Sequence, residues 1–93
     1  MNKKNNIQKC DNDEVTFKLR CICRFLRNTR IEKGLTQQQI ADASNLSKQM
    51  ISKIECCEVN PSLTTIIKYC MCLEIDLYSA IKNEYDWEEE LDE

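Results

Sequence analysis

The side chains best suited to recognising another molecule lie together on one short segment of this chain: Lys48, Gln49, Ser52 and Lys53. The segment also carries Ile51 and Ile54, which must face a core if it is helical, so the polar side chains face outward. A glutamine amide can pair with adenine through two hydrogen bonds, and a lysine ammonium can donate to guanine acceptors. Side chains of these types have the chemistry to bind base edges, and the alternative is a solvated polar helix face.

Two successive helix starts would position this segment. Thr36 and Gln39 have the spacing of a capping box, in which each side chain accepts a hydrogen bond from the other residue's backbone N–H. Ser47 repeats the start, although Met50 cannot complete a second box. Asn45, in the short polar break between the two starts, tolerates the left-handed conformation that ends a helix. This helix–break–helix unit fits either a DNA-reading pair or an ordinary helical hairpin.

The rest of the chain predicts an all-α fold of five helices. The 93 residues contain one glycine and one proline, and apolar residues recur every three to four positions. The predicted helices span about 15–33, 37–43, 48–57 and 63–73, with a fifth after Asp76, a natural N-cap. Gly34 is expected to end the first helix in the left-handed conformation. The predicted inward residues of the first, fourth and fifth helices are Val15, Leu19, Ile22 and Leu26; Leu63, Ile66, Ile67 and Cys70; and Leu77 and Ile81.

Charge divides the chain into three parts: a flexible polar arm over 1–14, a helical domain over 15–82, and an acidic tail over 83–93. Residues 84–93 contain seven acidic and no basic side chains, whereas 15–82 contain ten basic and six acidic ones. The net charge of −3 therefore hides a mildly basic domain and does not exclude nucleic-acid binding. With no apolar run near the ~20 residues that span a bilayer and no secretion leader, we expect a cytoplasmic or nucleoid-associated protein without membrane contact.

The chain has seven cysteines and no histidine. Their Cys-x-Cys and Cys-Cys spacings differ from the paired Cys-x(2–4)-Cys of zinc sites. Side chains two apart on a helix diverge by about 200°, so they cannot easily hold one ion. An odd number in a cytoplasmic chain argues against a disulfide framework. We predict no metal or cofactor, and expect most cysteines to fill the core.

Scattered matches over about residues 19–81 resemble the Cro/repressor-type (XRE-like) helix-turn-helix family. They are LRNTRIEKGLTQ at 26–37, IA at 40–41, LS at 46–47, ISKIE at 51–55 and NPSL at 60–63. The resemblance implies a compact five-helix lambda-repressor-like domain. It also implies a transcriptional regulator, most simply a repressor, that reads a palindromic operator in double-stranded DNA as a homodimer.

The resemblance also assigns residue roles. It places the four polar side chains of the third helix, Lys48, Gln49, Ser52 and Lys53, against base edges. Gln37 would touch a phosphate, although it could simply neighbour the capping box. Weaker phosphate candidates are Thr36, Ser47, Asn60, Ser62 and Lys68. Arg30 and Glu55 would form a partly buried structural salt bridge.

The chain departs from the family at Cys56-Cys57, where Asn-Gly is usual and a left-handed residue ends the third helix. A cysteine there carries a Cβ penalty of roughly 1 kcal/mol. One or two exposed thiols beside the DNA surface make oxidation sensing a hypothesis.

An enzyme is not predicted, since there is no histidine, phosphate loop or carboxylate pair with metal-ligand spacing. The alternative function is an antitoxin-like or antirepressor-like protein that binds a protein partner through its C-terminal segment. That segment, with Tyr78, Tyr85, Trp87 and Leu91, is also the favoured dimer surface, ahead of a stripe formed by Phe17, Cys21 and Phe25. The acidic tail could screen the basic face, but solvated sequence is the simpler interpretation.

Overall fold

The computed structural model describes residues 6–83, and over these residues it is all-α, as predicted. Five helices follow in order: α1 Asn12–Glu32, α2 Gln37–Ser44, α3 Lys48–Glu55, α4 Leu63–Leu73 and α5 Leu77–Lys82. α2 packs on α3 and α4, while α1 packs on α3, α4 and α5. Among the described helices, none has the length and apolar character needed to cross a bilayer. Residues 84–93, including Tyr85, Trp87 and Leu91, lie outside the described part of the chain.

Side-chain caps explain where the helices begin. The Asp11 carboxylate accepts hydrogen bonds from the backbone N–H groups of Asp13 and Glu14, at 3.0 and 3.3 Å. α1 therefore begins at Asn12, three residues before the predicted start, and includes the last residues of the predicted arm. At α5, Asp76 accepts from the Ser79 N–H at 2.7 Å, as expected of an N-cap.

Both helix starts around the polar break form as predicted. Thr36 Oγ1 accepts from the Gln39 N–H at 3.0 Å, and Gln39 Oε1 accepts from the Thr36 N–H at 2.8 Å, which completes the capping box. Ser47 Oγ accepts from the Met50 N–H at 3.0 Å without a reciprocal bond. Asn45, with φ 64°, ends α2 in the left-handed conformation. Gly34, with φ 73°, provides the left-handed turn after α1.

One continuous core holds the helices together, and it is built from all five: Leu26, Ile40, Ala41, Ile51, Ile66, Tyr69, Cys70, Leu73 and Ala80. Leu19, Ile22 and Leu77 are partly buried against it, in line with the prediction. Four predicted core residues are instead exposed: Val15, Leu63, Ile67 and Ile81.

Each of the four is exposed for a local reason. Val15 lies on the part of α1 that precedes the packed region, and Leu63 starts α4 on its solvent side. On α4 the buried face follows the 66, 69, 70, 73 spacing, which turns Ile67 outward. On α5 the small Ala80 is fully buried, so the helix approaches closely and the adjacent Ile81 is left outside.

Candidate nucleic-acid interface

The predicted base-contacting residues lie together on one side of α3. Lys48, Gln49 and Lys53 are exposed, and Ser52 is partly buried. The opposite side carries Ile51, Ile54 and Glu55, which are at most 2% exposed. The isoleucines anchor α3 in the core, so the four polar side chains form one accessible surface. We call Lys48, Gln49, Ser52 and Lys53 the exposed face of α3.

The Arg30–Glu55 pair forms as predicted and ties α1 to the end of α3. Arg30 Nε donates to Glu55 Oε2 at 2.7 Å, and Arg30 Nη2 donates to Glu55 Oε1 at 2.8 Å. The third guanidinium nitrogen, Nη1, donates to the backbone carbonyl of Leu35 at 2.7 Å. Arg30 therefore holds both α3 and the turn that enters α2. A forked pair of this kind restricts geometry more tightly than a single contact does.

Glu55 also accepts hydrogen bonds from two side chains that the sequence did not assign to it. Gln37 Nε2 donates to Glu55 Oε1 at 3.1 Å, and the Tyr69 hydroxyl donates to Glu55 Oε2. Four donors thus surround one buried carboxylate, which joins α1, α2, α3 and α4. We call Arg30, Gln37, Glu55 and Tyr69 the Glu55 network.

The charges of this network are set by its surroundings. Burial alone would raise the pKa of Glu55, but hydrogen bonds from Arg30, Tyr69 and Gln37 reverse that effect and lower it. Burial and the Glu55 carboxylate both raise the pKa of Tyr69. Glu55 is therefore ionised and Tyr69 neutral at neutral pH, which are the states that this arrangement needs.

Tyr69 was missed by the sequence analysis, which placed its neighbours Ile66 and Cys70 inward. Its ring is fully buried, and its hydroxyl reaches Glu55. The signal was present, because position 69 falls on the same helical face as Ile66 and Leu73. A tyrosine on a buried face requires a polar partner, and Glu55 provides it.

Three of the predicted phosphate-contacting residues are helix N-caps: Thr36, Ser47 and Ser62, which begin α2, α3 and α4. Their hydroxyl oxygens accept backbone hydrogen bonds, and all three residues are exposed. Gln37, on the first turn of α2, is held by Glu55.

The two remaining phosphate candidates, Asn60 and Lys68, are not N-caps. Asn60 is exposed on the α3–α4 connection beside Cys57 and Val59. Lys68 lies next to Ala43 and Ser44 at the other end of α2.

Comparison with known proteins decides the family. A profile described as "Helix-turn-helix" matches residues 26–78, more than half of the chain. The chain belongs to this helix-turn-helix family. The matched region contains α2, α3 and α4 together with the Glu55 network. Membership supports the predicted class of function, a DNA-binding transcriptional regulator.

A solved structure of similar fold is the crystal structure of the hypothetical transcription factor NHTF from Neisseria. The two chains are 23% identical, with a TM-score of 0.66, and the similarity covers 92% of each. At this identity the likeness concerns the fold. No curated protein is significantly similar in sequence.

The end of α3 in this helix-turn-helix domain differs from its predicted position at residue 57. The helix ends at Glu55, Cys56 caps it with φ −88°, and Cys57 takes the left-handed conformation with φ 61°. The Cys57 N–H donates to the Ile54 carbonyl at 3.0 Å, and the Glu58 N–H donates to the Lys53 carbonyl at 2.9 Å. The expected left-handed residue is thus present, without the glycine that would adopt it most easily.

The cysteines fill the core less completely than predicted. Cys23 and Cys70 are buried, and Cys72 packs partly against the core. Cys10 and Cys56 are exposed, and for Cys56 this agrees with the expectation of an exposed thiol at the end of α3. Across residues 6–83, no group of three or more cysteine, aspartate and glutamate side chains could hold a metal ion.

Proposed function

We propose that this protein is a sequence-specific DNA-binding transcriptional regulator, acting as a repressor, whose helix α3 enters the major groove. The observation that carries the proposal is the two-sided character of α3. Its inner side is fixed by Ile51, Ile54 and the four-donor Glu55 carboxylate, and its outer side presents unburied lysine and glutamine side chains. A helix held in this way can present polar groups to base edges in a constant orientation.

On the exposed face, Gln49 and Lys48 are the main base-contacting candidates. The Gln49 amide can pair with adenine through N6 and N7, and Lys48 can donate to guanine O6 and N7. Each such contact would contribute roughly 1–3 kcal/mol of discrimination between base pairs. Lys53 and Ser52 lie one turn further along α3, so we assign them to flanking bases.

Phosphate contacts would set the position of the domain on the duplex. Gln37 lies at the N-terminus of α2, where backbone N–H groups and the helix dipole favour an anion. Its hydrogen bond to Glu55 orients the amide, and it leaves the second amide hydrogen available for a phosphate oxygen. The N-cap hydroxyls of Thr36, Ser47 and Ser62 would supply further contacts. Asn60 and Lys68 complete the proposed set.

A homodimer completes the proposal, because one small domain contacts too few base pairs for a specific site. The preferred interface is the C-terminal segment from α5 onward. Tyr78 and Ile81 are 67% and 54% exposed there, which leaves apolar area for a second copy. The other candidate is the α1 stripe, where Phe17 is 49% exposed. We place the dimer in the cytoplasm, on the nucleoid.

Binding to the DNA upstream of the protein's own coding sequence tests this function. A gel shift should give a Kd of about 10⁻⁸ M or tighter on that duplex, and much weaker binding to a scrambled duplex of equal composition. The affinity should fall steeply as salt is raised, since bound lysines release counterions from the phosphates. Equal affinity for both duplexes would contradict the proposed sequence specificity.

Matched variants separate base contacts from phosphate contacts. Lys48→Ala should reduce the preference for the specific duplex, whereas Lys18→Ala, the same change on α1, should leave it unchanged. Gln37→Ala should weaken binding to both duplexes alike. If Lys48→Ala and Lys18→Ala behave identically, α3 does not supply the base contacts.

The exposed Tyr78 and Ile81 would equally suit contact with a different protein. The alternative function therefore remains: an antitoxin-like or antirepressor-like protein whose main partner is another protein. Light scattering of the purified chain distinguishes the two. A dimer that Ile81→Ser dissociates and Phe17→Ser does not would support the proposed interface. A monomer that binds no DNA and forms a stable complex with a protein from the same operon would favour the alternative.

A further inference from the structure

Two cysteines from distant parts of the sequence lie at one cleft between α1 and the end of α3. The cleft has a volume of about 260 Å³, and its lining includes Cys23 of α1 and Cys57, which follows α3. Both side chains are thiols. Cys23 is 1% exposed at the floor of the cleft, and Cys57 is partly accessible. The helices that carry them, α1 and α3, pack directly on each other.

The two thiols, which line the same cleft, also influence each other electrostatically. Burial, together with a smaller contribution from a negative charge on Cys57, raises the pKa of Cys23 to about 12. The charge of one thiolate is therefore felt by the other. Cys56 points elsewhere, being exposed and absent from the lining of the cleft.

We propose that Cys23 and Cys57 form a reversible disulfide that fastens the C-terminal end of α3 to α1. Cys57 lies in the turn in which the Glu58 N–H donates to the Lys53 carbonyl, so the bond would attach this turn to α1. The oxidation state of the pair would thereby restrain the end of the helix that carries the exposed face. In a reducing compartment, a disulfide of this kind acts as a transient sensor of oxidant.

The chemistry balances with a hydroperoxide as the oxidant. The more accessible Cys57 thiolate attacks one peroxide oxygen, the O–O bond breaks, and the departing oxygen leaves as water after protonation. The Cys23 thiolate then attacks the sulfur of the resulting sulfenic acid. An S–S bond forms, the S–O bond breaks, and a second water leaves. Two thiols and one hydrogen peroxide thus give one disulfide and two waters, and a dithiol reductant reverses the oxidation by exchange.

The test is peptide mapping of the full chain after treatment with hydrogen peroxide and alkylation of the remaining thiols. We expect a single intramolecular link between the peptides that contain Cys23 and Cys57, lost on reduction. Cys57→Ser and Cys23→Ser should each abolish it, and Cys56→Ser should retain it. Because Cys23 is buried and its replacement can disturb folding, the exposed-side variant Cys57→Ser decides the result.

Two other results would overturn the proposal. One is a link from Cys57 to Cys56 or Cys21 in place of Cys23, and the other is oxidation that yields only intermolecular disulfides.

Discussion

Polar groups on the two sides of α3 differ in burial and in hydrogen bonding. On the inner side, the Glu55 carboxylate is 2% exposed and accepts four hydrogen bonds from three other helices. On the outer side, Lys48, Gln49 and Lys53 make no side-chain hydrogen bond to the described residues and stay open to solvent. One polar group is fully satisfied within the fold, while the others are left available for an external partner.

The two sides of α3 therefore have different roles: the inner side orients the helix, and the outer side is available to recognise a partner. The inner side fixes the rotation of α3 about its axis, because a forked Arg30–Glu55 pair tolerates little displacement. The outer side can then change without cost to the fold. Variants on the inner side should therefore alter stability first, and variants on the outer side should alter binding alone.

The largest expected effect is on the inner side. Glu55→Gln should lower the free energy of unfolding by about 3–5 kcal/mol, because it leaves the Arg30 charge buried without its counter-charge. Denaturant titration followed by circular dichroism measures this loss. The matched control is Glu14→Gln on α1, whose exposed pair with Lys18 spans 3.9 Å. The control should change stability by no more than about 0.5 kcal/mol. Equal losses in the two variants would show that the Glu55 network has no special role.

The same network predicts a dependence on acid pH. The folded-state pKa of Glu55 is lower than its ordinary value of 4.5, so its ionised form stabilises the fold above that value. This contribution is lost as the pH falls below 4.5 through the lowered pKa. The difference in unfolding free energy between the native chain and Glu55→Gln should therefore shrink over that range. A difference that stays constant between pH 7 and pH 3 would contradict the assigned protonation.

An intermediate effect is expected on the outer side. Gln49→Ala should reduce the preference for the specific duplex by roughly 1–3 kcal/mol, because one pair of base-edge hydrogen bonds is lost. The free energy of unfolding should not change measurably, since Gln49 is exposed. Gln38→Ala is the control, because Gln38 is an exposed glutamine whose amide bonds to Asp42 at 2.8 Å on α2. Fluorescence anisotropy with both duplexes measures the preference. A fall in stability for Gln49→Ala would place that side chain on the wrong side of α3.

The sequence predicted the helix starts and the apolar anchors of α3 better than the Glu55 network, and the reason is physical. Caps and apolar spacing are local, so Thr36, Ser47 and the inward isoleucines could be recognised from neighbouring residues. The Arg30–Glu55 pair came from family resemblance. The contacts of Gln37 and Tyr69 with Glu55 join residues 18 and 14 positions apart, and no local pattern specifies such a meeting.

Burial was less predictable than helix position for a related reason. α4 was placed correctly at Leu63–Leu73, yet Leu63 and Ile67 are exposed and Tyr69 is buried. Apolar spacing on a helix with many apolar residues fits more than one inward face. The choice among those faces depends on the helices that pack against it.

The smallest expected effect concerns the turn that ends α3. This turn follows both the inner and the outer side of the helix. Cys57 has φ 61°, and glycine adopts this conformation without the Cβ penalty. Under reducing conditions, Cys57→Gly should therefore raise the free energy of unfolding by about 0.5–1 kcal/mol, after the greater freedom of glycine in the unfolded chain is included.

The adjacent residue provides a control of opposite sign. Cys56 has φ −88°, where a glycine gains nothing from its freedom, so Cys56→Gly should lower stability by about 0.5–1 kcal/mol. Opposite shifts in the denaturation midpoints of these variants would show that the left-handed turn at Cys57 costs stability. Shifts of the same sign would mean that contacts of the Cys57 side chain in the cleft outweigh its backbone strain.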